Sequence, residues 1–100
     1  MSAARVLARR YGLTIRFADL GDWTRCELRS EYDARRREIR LNRRVAAALQ
    51  GERLRRFVEF AIAHELYHHR EWIGEVPRLH RASRREAAAD AFARALAATR

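Results

Sequence analysis

Lysine is absent from this sequence, and cysteine and proline each occur once. The single cysteine, Cys26, excludes an internal disulfide, and no apolar run approaches the roughly 20 residues that a membrane span needs. The N-terminal residues also lack the apolar core and cleavage site of a secretory signal. These absences together favour a protein of the reducing cytoplasm.

All 22 of the basic side chains, histidine aside, are arginines, and the formal net charge is +9. A basic surface of this kind attracts nucleic acid or an acidic partner. The arginines are spread over every segment and are not interleaved with aromatic residues, which does not favour a dedicated nucleic-acid site. A compositional bias toward arginine and alanine explains them as well. Arginine-rich nucleic-acid binding therefore stays an alternative function.

The length of the chain predicts one small domain over residues 1–100. Apolar spacing predicts helices over 2–11, 43–50, 52–71 and 83–98, and strands over 13–17, 23–32 and 38–42. The expected fold class is α+β, with a three-stranded, mostly antiparallel sheet packed against the helices. Trp23, Cys26 and Trp72 are predicted to be buried.

The long predicted helix contains His64-Glu65-Leu66-Tyr67-His68, a His-Glu-x-x-His motif. Residues four apart on a helix project from nearly the same face, so His64 and His68 can reach one metal ion. Glu65 lies about 100° round the helix, where it can act as general base toward a water on the metal. The pattern is typical of zinc hydrolases, which take a third protein ligand from elsewhere. His69 is expected to face away from the metal.

The segment after the motif offers His80 and Glu86 as the third ligand. The extended motif that recruits a third histidine needs it at position 74, where this chain has Gly74. Glu86 is therefore favoured, with Asp90 four residues later as a carboxylate that can hydrogen-bond a liganding histidine. The alternative role for Glu86 is a capping box with Ser83, in which the glutamate only bonds the start of the helix.

The motif in Ala63-His64-Glu65-Leu66-Tyr67-His68-His69, followed by Glu86-x-x-Ala89-Asp90-x-Phe92-Ala93, resembles the ImmA/IrrE metallopeptidases. The segments 11–15 and 39–42 also look like that family. The resemblance implies a minimal zincin-like domain of the gluzincin type, with an active-site helix and a C-terminal glutamate helix. Its implied ligands of Zn²⁺ are His64, His68 and Glu86, with Glu65 as the base. Position 67 departs from the family, which commonly has glycine there.

The resemblance also implies that the protein cleaves a protein partner, a transcriptional repressor, by Glu65-assisted attack of a zinc-bound water. A zinc-bearing antirepressor that sequesters its partner without hydrolysis is a second reading, and iron or manganese can replace zinc. We expect an extended substrate to pair with an exposed edge strand over 38–42. The residue that stabilises the oxyanion stays open among four candidates, which are Tyr67, Arg78, His80 and Arg81.

Overall fold

The computed structural model describes residues 2–21 and 29–98. Its elements in chain order are α1 (Ala3–Arg10), β1 (Thr14–Ala18), β2 (Ser30–Asp33), β3 (Glu38–Asn42), α2 (Arg43–Ala47), α3 (Gly51–Trp72) and α4 (Ala82–Ala98). They form a small α+β domain with a three-stranded sheet, so the predicted class is confirmed. Most of the strand predicted over 23–32 lies outside the described residues, as do Trp23 and Cys26. Among the described helices, none is both long and apolar enough to cross a membrane.

The sheet is mixed, and the prediction of a mostly antiparallel sheet is wrong. β3 lies in the middle, where it pairs antiparallel with β2 and parallel with β1. In this central place Ile39 and Leu41 are fully buried, whereas Phe17 on the edge strand β1 is 42% exposed. Since β3 is an inner strand, it cannot be the edge that receives a substrate. The expectation for residues 38–42 is therefore also wrong, and β1 and β2 form the edges of the described sheet.

α3 begins one residue before the predicted 52–71 and ends one residue after it. The buried positions of its predicted stripe are Val58, Ala61, Ile62 and Leu66, while Leu54 and Phe57 are partly buried. These side chains join Ile39 and Leu41 of β3 in one apolar cluster. The burial of this stripe fixes the rotation of α3 about its axis, and that rotation decides which way the motif residues point.

His69 packs on the core side of α3. Its ring lies edge-on to those of Tyr11 and Tyr32, with centroids 5.0 and 5.4 Å away. The Tyr32 hydroxyl lies 2.6 Å from His69 Nδ1. As expected, this side chain therefore points into packing and not toward the neighbouring imidazoles of the motif.

α4 returns along α3 and presents small side chains to it. Ala89 and Ala93 are fully buried, which lets the two helix backbones approach closely. Trp72 is the last residue of α3 and lies beyond this contact. It is 64% exposed, so the prediction that Trp72 is buried is wrong.

Candidate metal centre

Two imidazoles from α3 and one carboxylate from α4 meet at a single point. His64 Nε2 lies 2.7 Å from Glu86 Oε2, and His68 Nε2 lies 3.3 Å from the same oxygen. The two Nε2 atoms are 3.3 Å apart. These three residues are the group of possible metal ligands among the described residues, and they are the three predicted from the sequence.

The separations of these donor atoms suit a small tetrahedral ion. Zinc bonds imidazole nitrogen at about 2.0–2.1 Å, which places the donors of a tetrahedron roughly 3.3 Å apart. Two of the three separations have that value. The third, between His64 and Glu86, is 2.7 Å, which is the length of a direct hydrogen bond. A set of two histidines and one glutamate, with a fourth position left open, is typical of catalytic zinc. The residues therefore fit a zinc ion.

Each imidazole is held through its other nitrogen. His64 Nδ1 lies 2.8 Å from Asp90 Oδ1, and His68 Nδ1 lies 2.8 Å from Glu71 Oε1. A carboxylate at this position keeps the proton on Nδ1 and leaves Nε2 free to bind a metal. Asp90 lies where the sequence predicted it. Glu71 was missed, although its place three residues after His68 on the same helix is a usable signal.

The charges around His68 act in opposite directions. Burial on its own lowers the pKa of this imidazole, but the hydrogen bond to Glu71 and the nearby carboxylates outweigh it and raise the pKa overall. For Glu71 burial acts to raise the pKa, but its hydrogen bonds to Arg85 and His68 outweigh burial and lower that pKa overall. The negative charge beside the imidazole is therefore stably present.

Glu65 lies beside the imidazoles in a buried position. It is only 5% exposed, and its Oε2 accepts a hydrogen bond of 2.6 Å from the hydroxyl of Ser30 at the start of β2. Burial raises the pKa of Glu65, and the hydrogen bond from Ser30 opposes part of that rise. The role of Ser30 was not predicted, because nothing in the sequence near it marks a serine that reaches α3.

A cleft of about 1540 Å³ opens over the candidate centre. Its walls include His64, Glu65, His68 and Glu86, and β2 contributes Ser30 through Tyr32. This volume exceeds the roughly 300–1,000 Å³ of pockets for small ligands, which favours a segment of polymer as the occupant.

Of the four candidates for the oxyanion, only Arg78 lines this cleft. A second, smaller pocket is bordered by His80 and Arg81 and also by Arg78. Tyr67 packs on Phe92 of α4, with ring centroids 5.8 Å apart. The ring of Tyr67 also lies edge-on to that of His68, with centroids 6.4 Å apart.

The capping role for Glu86 is not supported. α4 begins at Ala82, so Ser83 already lies inside its first turn and not in front of it. The carboxylate of Glu86 points instead at the imidazoles of His64 and His68. Its side chain is 58% exposed, so it lies at the open mouth of the candidate centre.

Comparisons of this chain with protein-family models, with curated proteins and with solved structures find no match. The likeness to the ImmA/IrrE metallopeptidases therefore depends on the sequence segments named above and on no matched relative. What the structure adds is independent of that likeness: two segments separated along the chain by 18 residues meet with Glu86 Oε2 beside His68 Nε2.

Proposed function

We propose that this protein is a zinc-dependent metallopeptidase that cleaves a protein partner. One observation carries the proposal: the donor atoms of His64, His68 and Glu86 converge, with the buried carboxylate of Glu65 beside them. A structural zinc site would need a fourth protein ligand and would have no use for an adjacent carboxylate. The resemblance to the ImmA/IrrE family supports the same activity and suggests a transcriptional repressor as the partner.

The residues of the centre divide the work of hydrolysis. Zinc, when bound, polarises the scissile carbonyl and lowers the pKa of water toward ~7. The carboxylate of Glu65 accepts a proton from the attacking water and then delivers that proton to the leaving amine nitrogen. Arg78, on the wall of the cleft, supplies positive charge for the oxyanion.

The substrate is proposed to lie along β2. This strand pairs only with β3 among the described strands, and its other edge is the one proposed to receive an added strand. Ser30 begins β2 and touches Glu65, so an extended segment on that edge passes the base. β2 thus takes the role that the sequence assigned to residues 38–42.

Metal analysis and profiling of new protein N-termini test the proposal together. The purified protein, stripped with a chelator and reloaded, is expected to hold about one zinc ion per chain. The same donor set also serves non-haem Fe²⁺, so protein isolated from its own cells is analysed for both metals. In those cells, N-termini created by cleavage should appear with the wild-type protein and disappear with His68→Ala.

Two results would overturn the peptidase. One is a reloaded protein that holds no metal. The other is a partner that binds tightly to the zinc-loaded protein and is not cleaved by it. That result would instead establish a non-hydrolytic antirepressor.

Replacing Ser30 with alanine tests how the base is held. The hydrogen bond from its hydroxyl to Glu65 is removed, so we expect kcat on the partner identified by profiling to fall about 10- to 100-fold. Zinc content should be unchanged, because Ser30 touches no proposed ligand. A Ser83→Ala variant, altered at an exposed serine of α4, serves as the matched control. Equal kcat for Ser30→Ala and the wild type would remove Ser30 from the mechanism.

A further inference from the structure

Glu71 is a buried carboxylate that the proposed hydrolysis does not use. Its side chain is 2% exposed, and both of its oxygens have partners. Oε1 lies 2.8 Å from His68 Nδ1 and accepts a hydrogen bond of 3.1 Å from Arg85 Nη2. Oε2 accepts a second bond from Arg85, of 3.3 Å from Nε. The carboxylate therefore joins an imidazole on its own helix to a guanidinium on α4.

The position of Arg85 gives this contact its meaning. Arg85 immediately precedes Glu86, so the guanidinium that Glu71 holds belongs to the turn of α4 that presents the third proposed ligand. Glu86 itself is 58% exposed and has no burial to fix it. The carboxylate of Glu71 thus contacts His68 directly, and it is linked to Glu86 through Arg85, the preceding residue of the same helix.

We propose that Glu71 is a positioning residue that couples the two halves of the metal centre. It orients the imidazole of His68. Through Arg85 it also fixes the position and rotation of the first turn of α4, which carries Glu86, relative to α3. The inference rests on the proposed metal centre and goes beyond it, because it concerns how a centre split between two helices keeps its geometry.

The chemistry of the contact favours this role over simple packing. An apolar pair between α3 and α4 would join the helices without the cost of removing two charges from water. A guanidinium that donates two bonds to one carboxylate fixes direction as well as distance, which an apolar contact does not. Asp90 offers a contrast: its side chain is 41% exposed, and among the described residues its ion pair is with His64. Loss of Glu71 should therefore weaken the centre more than loss of Asp90.

The affinity for zinc, measured by competition with a chromophoric chelator, tests the inference. We expect Glu71→Gln to bind zinc about 10- to 100-fold more weakly than the wild type. Arg85→Gln should weaken binding in the same direction, and the double variant should be no weaker than Glu71→Gln, since both changes break one linkage. Arg85→Lys, which keeps the charge but loses the two-bond fork, should fall between Arg85→Gln and the wild type. Glu52→Gln is the matched control, because Glu52 lies on the same helix and pairs with Arg56 far from the histidines.

Two further measurements separate positioning from general stability. The ligand-field spectrum of the Co²⁺-loaded protein should change in Glu71→Gln, because the direction of the His68 ring changes. Thermal unfolding of the metal-free variants shows whether they fold. Wild-type affinity in Glu71→Gln, or independent and additive losses in the two single variants with an unchanged Co²⁺ spectrum, would overturn the inference. If the wild type binds no zinc, the metal centre and the inference fall together. If it binds zinc but cuts nothing, only the peptidase falls.

Discussion

Glutamine in place of Glu65 is expected to lower the rate of cleavage about 10²- to 10⁴-fold while the protein keeps its zinc. The amide has the shape of the carboxylate and can still meet the hydroxyl of Ser30, which lies 2.6 Å from Oε2, but it cannot take a proton from water. Glu65 lies beside the imidazoles without being one of the grouped donors, so the affinity for zinc should survive. Zinc content and single-turnover cleavage of the partner, measured on the same preparation, check both halves of the expectation.

The design of this experiment separates the base from the fold. Ser83→Ala changes an exposed residue of α4 that is not among the lining residues of the cleft, and it should cleave like the wild type. A Glu65→Gln protein that cleaves at the wild-type rate would refute the assignment of the base. If the variant instead loses zinc along with activity, Glu65 contributes to metal binding, and its role as general base is not supported. A variant that binds without cutting also serves to capture the partner intact.

Removal of His68 is expected to abolish tight zinc binding and, with it, the stabilisation that zinc provides. A ligand present at 100 times its dissociation constant stabilises the folded state by about 2.7 kcal/mol. In a domain of this size each kcal/mol raises the melting temperature by roughly 4–8 °C. His68→Ala leaves only His64 and Glu86 in the donor group, so its melting temperature should not respond to zinc.

Thermal unfolding with and without zinc, at equal protein concentration, measures this difference. His80→Ala is the matched control, because His80 is an exposed histidine that lies outside the donor group. Its melting temperature should rise with zinc as that of the wild type does. An equal rise in His68→Ala would place the bound zinc somewhere else on the protein.

The sequence was informative where one periodic pattern decides the structure. The stripe that includes Val58, Ile62 and Leu66 predicts α3 almost to the residue, and alternation around Ile39 predicts the bounds of β3. The convergence of Glu86 with the histidine pair could also be anticipated, because few other donors follow the motif. These are local patterns joined by one long-range contact that chemistry suggests. The identity of the metal and the activity remain predictions.

Features that depend on the packing of several elements were not accessible in the same way. The order of the strands follows from β3 being buried on both faces, including the polar residues Glu38 and Asn42, which simple alternation does not predict. The contact of Ser30 with Glu65 depends on how β2 lies against α3. Trp72 was expected to be buried from its residue type alone, whereas its exposure follows from its place at the very end of α3.

The alanine-rich contact of α4 has a consequence for how the centre assembles. Ala89 and Ala93 fill the contact with α3, and each contributes only a methyl group, worth about 0.8 kcal/mol when buried. Phe92 and Leu96 pack against the core nearer the C-terminal end of α4, so the first turn, which carries Glu86, has little apolar burial of its own. Segments with little apolar burial open locally at low free energy, without unfolding of the whole domain. Because Glu86 belongs to such a segment, binding of the proposed ion would be coupled to the docking of the first turn of α4, and free zinc would then raise the fraction of molecules in which that turn is docked.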